Sequence, residues 1–541
     1  MTQRQIRIIS IVLAVVLIIG VLAAIATPLL AAPARPELLR APAGTSIEPW
    51  SQVSGTDGRE YIADEQGRAL QFRGMNVKTE HPATDASDQL LADASARGFN
   101  LLRLSVYWDE MEPTDDAWNE AYFAEIQTVL DRAEAHGIWV VLTMHQDNFN
   151  TRFGGKGMPD WVTDDEGLPF EPQDVWFLNA VQPALMESWE NLYEKPEFRA
   201  AQIDAWEEIV TRFHASPSVI GYDLLYEPFG KIRDGENFIA AVERVESTQL
   251  TPMYQRLTTA IRAIEPDQWV FIEAPNQASL GIRSWLGAID GGNIAFFPHM
   301  YDSTIESATY TPGGEVKYDP KFFDTYAGVI DVYPDAHHVP VLFGEWGVAH
   351  PEAPGMDRFV ADALDLMEEH GSGWTMFNGC RGTGYCPFDA DGGDRPGIGQ
   401  IVQPYAQAVA GAPTSFHWDR AARTLTVVFE DSAATGTTDL VIPSGTVFPD
   451  GWVIETSDAD GSWSSTTAAG LDPNVEIASV TVSATGEPHA ICLKPVGSPT
   501  GCEVPVDEVP ATTSTTTSTT VPGATQATGA VPVAGQAAYT G

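Results

Sequence analysis

A (β/α)8 barrel followed by a small C-terminal β-sandwich is the fold that the sequence predicts, and three observations predict it. Between about Tyr61 and Ala410, eight short apolar or β-branched runs alternate with longer amphipathic stretches. No Gly-rich phosphate loop follows the first run, which turns the choice away from a doubly wound sheet. After Pro413 the texture changes to short alternating runs split by Gly, Asp and Pro, the pattern of a sandwich of about 90 residues.

The eight expected strands are LQFRGMN (70–76), NLLRLSV (100–106), IWVVLTM (138–144), VIGYDLL (219–225), WVFIEA (269–274), IAFFPHM (294–300), VPVLFGE (339–345) and GWTMFN (373–378). Helices are expected over 86–98, 121–137, 198–215 and 357–371, several closed by Gly just after the last turn. The connection from Asp147 to about Phe198 is too long for a turn and carries Trp161, Trp176, Phe177 and Trp189, so it is expected to form a wall of the site or to pack on the barrel. The chain then divides into 1–34 (export signal or membrane anchor), 35–59 (a Pro/Ala-rich lead-in), 60–411 (barrel), 412–505 (sandwich) and 506–541 (a Thr/Ser/Pro/Gly-rich tail that cannot bury enough apolar surface to order itself).

Arg4 and Arg7 precede an uncharged apolar run from Ile8 to Ala26, followed by small residues. This is an export segment, either cleaved or kept as an anchor, and it places the body of the chain outside the cell, secreted or at the cell surface. Export permits disulfides. Cys380 and Cys386 bracket one short loop and Cys492 and Cys502 another, so sequence-local pairing is the simplest assignment; no Cys-x-x-Cys spacing or His cluster supports the rival, a metal site.

With 30 Lys+Arg against 74 Asp+Glu, the net charge of −44 argues against nucleic acid and against docking onto anionic lipid. A membrane surface is expected only through a substrate or an uncleaved anchor, and the chain is expected to be a monomer.

Barrel active sites lie at the C-terminal ends of the strands. Reading only those ends gives Arg103 on strand two; His145, Gln146 and Asp147 after strand three; Tyr226 and Glu227 after strand four; His299 and Tyr301 on strand six; Glu345 on strand seven; and Trp374 and Asn378 on strand eight. Two glutamates on strand ends, set among aromatic groups, suit cleavage of a glycosidic bond, in which one carboxylic acid protonates the leaving oxygen and the other, ionised, attacks the anomeric carbon. That chemistry needs no cofactor.

The strings LLRLSVYWDEMEP, VVLTMHQDNF, YDLLYEPFG, FFPHMYD and LFGEWG resemble glycoside hydrolase family 5, and MHQD with a C-terminal sandwich is similar to its endoglycosylceramidase branch. The resemblance implies that Glu227 is the general acid/base and Glu345 the nucleophile. It further implies that Arg103 orients Glu345, that His299 and Tyr301 position the nucleophile or the sugar, that Lys78, His145 and Asp147 bind sugar hydroxyls, and that Trp374 is the stacking floor. One residue departs from the family pattern: Tyr226 stands where Asn is usual. The implied activity is retaining hydrolysis between glycan and ceramide of a glycosphingolipid. The alternatives left open are an endoglucanase or mannanase, an exo-acting β-glucosidase on glycolipids, and an inactive surface glycan-binding protein.

Overall fold

The computed structural model describes residues 50–173, 176–310 and 314–502, with backbone alone at 176 and 177. The N-terminal segment expected to direct export, most of the lead-in and the tail lie outside the described residues, as do the side chains of Trp176 and Phe177.

Eight parallel strands close into the barrel: Phe72–Val77, Leu101–Val106, Trp139–Met144, Val219–Asp223, Trp269–Ile272, Ile294–Phe296 continued by His299–Met300, Phe343–Trp346 and Gly373–Met376. The ring closes where Gly373–Met376 runs beside Phe72–Met75. The sixth strand meets the seventh twice, at Phe296 beside Val341 and at His299 beside Glu345. The strands read as apolar runs because helices cover the outside and packed side chains fill the inside.

Phe72, Trp139, Trp269, Phe271 and Phe297 belong to one buried cluster, which Trp50 completes with its ring 5.1 Å from that of Trp139. Trp139 and Trp269 open their strands, so this cluster fills the N-terminal end of the barrel and leaves the C-terminal end for the site. The four expected helices are Asp88–Ser95, Glu120–Ala135, Pro196–Phe213 and Met356–His370. Ser87 starts the first and Asn119 the second, each side chain accepting from the backbone N–H three residues on.

The sandwich has a seven-stranded and a four-stranded antiparallel sheet. The larger sheet begins earlier than Pro413: it takes Tyr405–Val409 and, across it, Ser51–Ser54, Glu60–Ala63 and Ala69–Leu70 from before the barrel. Buried Arg68 fastens the two parts, bonding Asp64 at 2.7 Å and Asp439 at 2.9 Å. The sequence carries little sign of this, because two- and four-residue strands have too short an alternation to stand out. Both expected disulfides, Cys380–Cys386 and Cys492–Cys502, are formed. No helix among the described residues is long and apolar enough to cross a membrane.

Candidate active site

Glu345 ends the seventh strand and is 2% exposed. Its Oε2 accepts from Arg103 Nη1 at 3.1 Å, and its Oε1 accepts from the hydroxyls of Tyr226 (3.0 Å) and Tyr301 (2.9 Å). Burial pushes this carboxyl above its ordinary value, with the charge of Glu227 adding to the effect; His299, Arg103 and Tyr301 act against it. Both oxygens are surrounded by donors, the setting of an anion. Burial and the charges of Glu227 and Glu345 push the Tyr226 phenol well above its ordinary value, so it remains a donor.

Glu227 follows the fourth strand with φ 39°, a left-handed conformation that costs a non-glycine residue roughly 1–2 kcal/mol. Two side chains hold it there. The Glu227 N–H donates to Glu273 Oε2 at 2.8 Å, and its carbonyl accepts from Gln146 Nε2 at 3.0 Å. The carboxylate meets His299 Nδ1 at 2.9 Å and Asn276 Nδ2 at 2.5 Å. Oxygens of Glu227 and Glu345 come within 4.8 Å of each other. That separation fits the roughly 5–5.5 Å of a retaining pair, not the roughly 6.5–9.5 Å that an inverting pair needs for a water.

Arg103 is buried beneath both glutamates. It bonds Asn76 Oδ1 at 2.9 Å, Asp223 Oδ2 at 2.5 Å and Glu273 Oε1 in addition to Glu345. Burial opposes the charge on Arg103, but Asp223, Glu273 and Glu345 outweigh it. Burial likewise opposes the charge on His299, yet Glu273 and Glu345, with the hydrogen bonds to Glu227 and Glu273, hold it at about 10, as an imidazolium.

Above these groups opens a cleft of about 700 Å³. In barrel order its lining begins with polar groups after the first three strands, among them Lys78, Tyr107, Asp147 and Lys156. Lys78 Nζ lies 2.6 Å from Asp147 Oδ2, and Lys156 Nζ lies 2.9 Å from Glu80 and 2.7 Å from Glu110. Asp147, held well below the usual carboxylate range by His145 and Lys78 although burial opposes them, stays ionised. The lining then turns apolar, with Leu178, Val181 and Leu185 from the long insertion, Phe229 and Phe238 after strand four, and Leu280 after strand five. Leu178, Val181, Phe238 and Leu280 are 41–44% exposed. The last part of the lining is Tyr301, Glu306, Tyr310, Phe377 and Tyr385.

Two expectations are corrected. Trp374 is not a floor: it is 1% exposed and packs against Phe99, Trp346 and Arg73 in the outer layer. Strand residues alternate sides, so Trp374 and Met376 face one way, and Phe377, joined to Asn378 by a cis peptide, lines the cleft instead. His145 is 1% exposed and does not reach the cleft; it stacks on Tyr226 at 3.7 Å and meets Ser105 Oγ at 3.1 Å. Burial lowers it to about 4, so it is a neutral prop for the Tyr226 ring. Lys78, Asp147, Tyr226, Tyr301 and both glutamates do line the cleft, and Arg103 and His299 lie directly under them. Glu273, Asn276, Asn76 and Asp223 are functional neighbours that sequence position alone does not single out. Of these, Glu273 carries the same signal as Glu345, a carboxylate at the end of a buried strand.

A parallel eight-stranded barrel with two opposed, differently solvated glutamates at its C-terminal mouth defines a retaining glycoside hydrolase. The family model for cellulase (glycosyl hydrolase family 5) matches residues 63–381, and that for the glycoside hydrolase family 5 C-terminal domain matches 403–492. The chain belongs to glycosyl hydrolase family 5. It is 27% identical over 470 residues to endoglycoceramidase I of Rhodococcus hoagii (strain 103S), covering 84% of this chain and 90% of that one. It is 24% identical over 436 residues to an endoglycoceramidase of Hydra vulgaris, covering 73% and 81%. Among solved structures it is similar to endo-glycoceramidase II from Rhodococcus sp. in its lactosyl-enzyme intermediate, with 25% identity, a TM-score of 0.69, and coverage of 80% of this chain and 99% of that one.

Proposed function

We propose that the protein hydrolyses the bond between the glycan and the ceramide of glycosphingolipids, with retention. The observation that carries this reading is the two-sided cleft: polar and charged after strands one to three, apolar from the insertion through strand five, with both Glu227, after strand four, and Glu345, on strand seven, in its lining. Apolar side chains left 41–44% exposed at a cleft mouth are costly in water and suit a lipid aglycone. The names of the two curated relatives, and the covalent lactosyl intermediate of a relative with the same barrel, support it.

In the first step a carboxylate oxygen of Glu345 attacks the anomeric carbon. The bond from that carbon to the ceramide oxygen breaks, and Glu227 gives its proton to that oxygen. In the second step Glu227 takes a proton from water as the water oxygen attacks the same carbon, and Glu345 leaves as a carboxylate. Arg103, Tyr226 and Tyr301 hold Glu345 in line, while Lys78 and Asp147 face the sugar. Export by the N-terminal apolar segment belongs to the same reading, and the two disulfides support it.

Mass spectrometry of the products from a neutral glycosphingolipid in detergent tests this. Intact oligosaccharide plus ceramide is expected, with no turnover in Glu345→Gln. Stepwise release of monosaccharides would identify an exo-acting glycosidase and overturn the endo assignment.

A further inference from the structure

The two cleft glutamates rest on a third that no substrate reaches. Glu273 follows the fifth barrel strand, is 2% exposed and lies behind the cleft wall. Its Oε2 accepts the Glu227 N–H at 2.8 Å. Its Oε1 accepts from Arg103 Nη2 and lies 3.2 Å from His299 Nε2. Its own carbonyl is fixed by the Tyr254 hydroxyl at 2.8 Å. Each arm continues to the cleft: Arg103 on to Glu345 Oε2 at 3.1 Å, and His299 on to Glu227 Oε1 at 2.9 Å. Glu227 sits at φ 39°, a conformation that persists in a non-glycine residue only when its surroundings over-determine it.

We propose that Glu273 is the positioning residue for both halves of the reaction, clamping the backbone of the acid/base in its left-handed turn and aiming both cleft glutamates through Arg103 and His299. The inference rests on the reading of Glu227 as acid/base. It adds a group that touches no substrate yet sets the protonation and direction of those that do.

The charges around the cluster make this testable. Facing Glu273 are two cations, Arg103 and His299, the acid Asp223, the backbone of the acid Glu227 and the phenol of Tyr254, while Glu345 is reached through Arg103. Asp223 is pushed up to about 8 by burial and by the charge of Glu273. An amide at 273 therefore lets Asp223 ionise and keep Arg103 paired, so the variant retains its buried arginine's counter-ion. His299 gains no such substitute. Glu273 is the largest of the influences that raise it, and without that charge its proton is lost at lower pH.

The experiment compares Glu273→Gln with wild type on phenyl and 2,4-dinitrophenyl β-lactoside across pH. A good leaving group needs no proton and a poor one does, and positioned general acids contribute about 10²–10⁴-fold. The expected result is a fall in kcat/KM of about 100-fold on the phenyl glycoside, under about tenfold on the dinitrophenyl glycoside, with the basic limb displaced at least about one pH unit downward. Equal loss on both substrates with an unmoved basic limb, or no loss on either, overturns it. Glu273→Asp keeps the charge but retreats from the Glu227 N–H, so it should retain the wild-type basic limb and still discriminate between leaving groups; a wild-type leaving-group profile there also overturns the proposal. Glu227→Gln, run alongside, separates the two ideas: selective loss on the phenyl glycoside upholds the acid/base reading whatever Glu273 does, and equal loss withdraws that reading.

Discussion

Tyr226 puts a phenol on Glu345, the proposed nucleophile. Its hydroxyl and that of Tyr301 both donate to Glu345 Oε1, while its ring is fixed between His145, at 3.7 Å, and the Arg103 guanidinium, at 5.2 Å. Tyr226→Phe keeps the ring and removes one donor to the charged form of Glu345. A hydrogen bond to a charged group is worth about 1.5–3 kcal/mol, so kcat/KM should fall about 10–100-fold. The fall should be similar for good and poor leaving groups, because the partial bond from Glu345 to the anomeric carbon forms in the same displacement whichever group departs. Removing a donor to the anion also raises the Glu345 carboxyl further, so the acidic limb of kcat/KM should move to higher pH. Initial rates on two aryl glycosides across pH check this; a loss confined to the poor leaving group would place Tyr226 with the acid instead. At this scale the sequence is legible wherever a polar residue ends a buried strand, as Arg103, Glu227, His299 and Glu345 do. It is illegible where the deciding fact is which side of a strand a residue faces, as with Trp374 and Phe377, or whether a group at a strand end meets the cleft or acts from beneath it, as with His145 and Glu273.

The insertion after strand three shows what one element contributes. Asp147 and Lys156 pair across a tight loop, each backbone N–H donating to the other's carbonyl at 2.8 and 2.7 Å. A Cβ on Gly155 would sit 1.5 Å from the Asp147 carbonyl oxygen, so only glycine allows the strands to approach this closely. The loop carries Asp147 against Lys78 on one side and Lys156 between Glu80 and Glu110 on the other. Gly155→Ala must force it open and displace both cleft lysines from their partners. If these groups hold the sugar rather than the reacting atoms, as proposed, KM, or the Ki of a glycone-like inhibitor, should rise about tenfold, with a smaller change in kcat. Steady-state kinetics on an aryl glycoside check it; a fall in kcat alone would detach the loop from sugar binding. FGGKGMPDW announces a Gly-rich loop in the sequence, but its register against Asp147 is a tertiary fact. The same holds for the helix Pro183–Glu194, which buries Leu185, Trp189 and Leu192 inside a stretch that the sequence marks only as a long connection. The barrel elements are legible because eight repetitions of one pattern reinforce each other, whereas the short strands joining the lead-in to the sandwich occur once.

The whole molecule combines a formal net charge of −44 with acids that burial makes harder to ionise. Burial pushes Asp223 up to about 8, Glu246 to about 7 and Glu306 to about 7. Each binds its proton more tightly folded than unfolded, so its contribution to stability declines as pH rises from the ordinary carboxylate value to the folded one. His299, held at about 10, adds stability that is complete below its unfolded value near 6.5 and is lost between there and its folded value. His145, lowered to about 4, acts the other way, but only between that value and about 6.5. Lowering the pH also relieves the repulsion among surface carboxylates. The melting temperature should therefore climb by several degrees from pH 8 to pH 5.5, and a maximum at pH 8 would contradict the assignment of these acids. Glu246 isolates the effect from the active site. It is fully buried, one carboxylate oxygen accepting from Ser284 Oγ at 2.8 Å and the other from the Trp285 N–H at 2.7 Å; a glutamine can keep both contacts by accepting the Trp285 N–H with its oxygen and donating its amide to Ser284 Oγ. Glu246→Gln should leave the melting temperature near wild type at pH 5.5 and raise it at pH 8, by on the order of 1–3 kcal/mol of stability, because the amide has no proton to lose. Thermal unfolding of the two proteins at both pH values decides it: an equal difference at each pH would mean that Glu246 is already ionised in the folded state over that range.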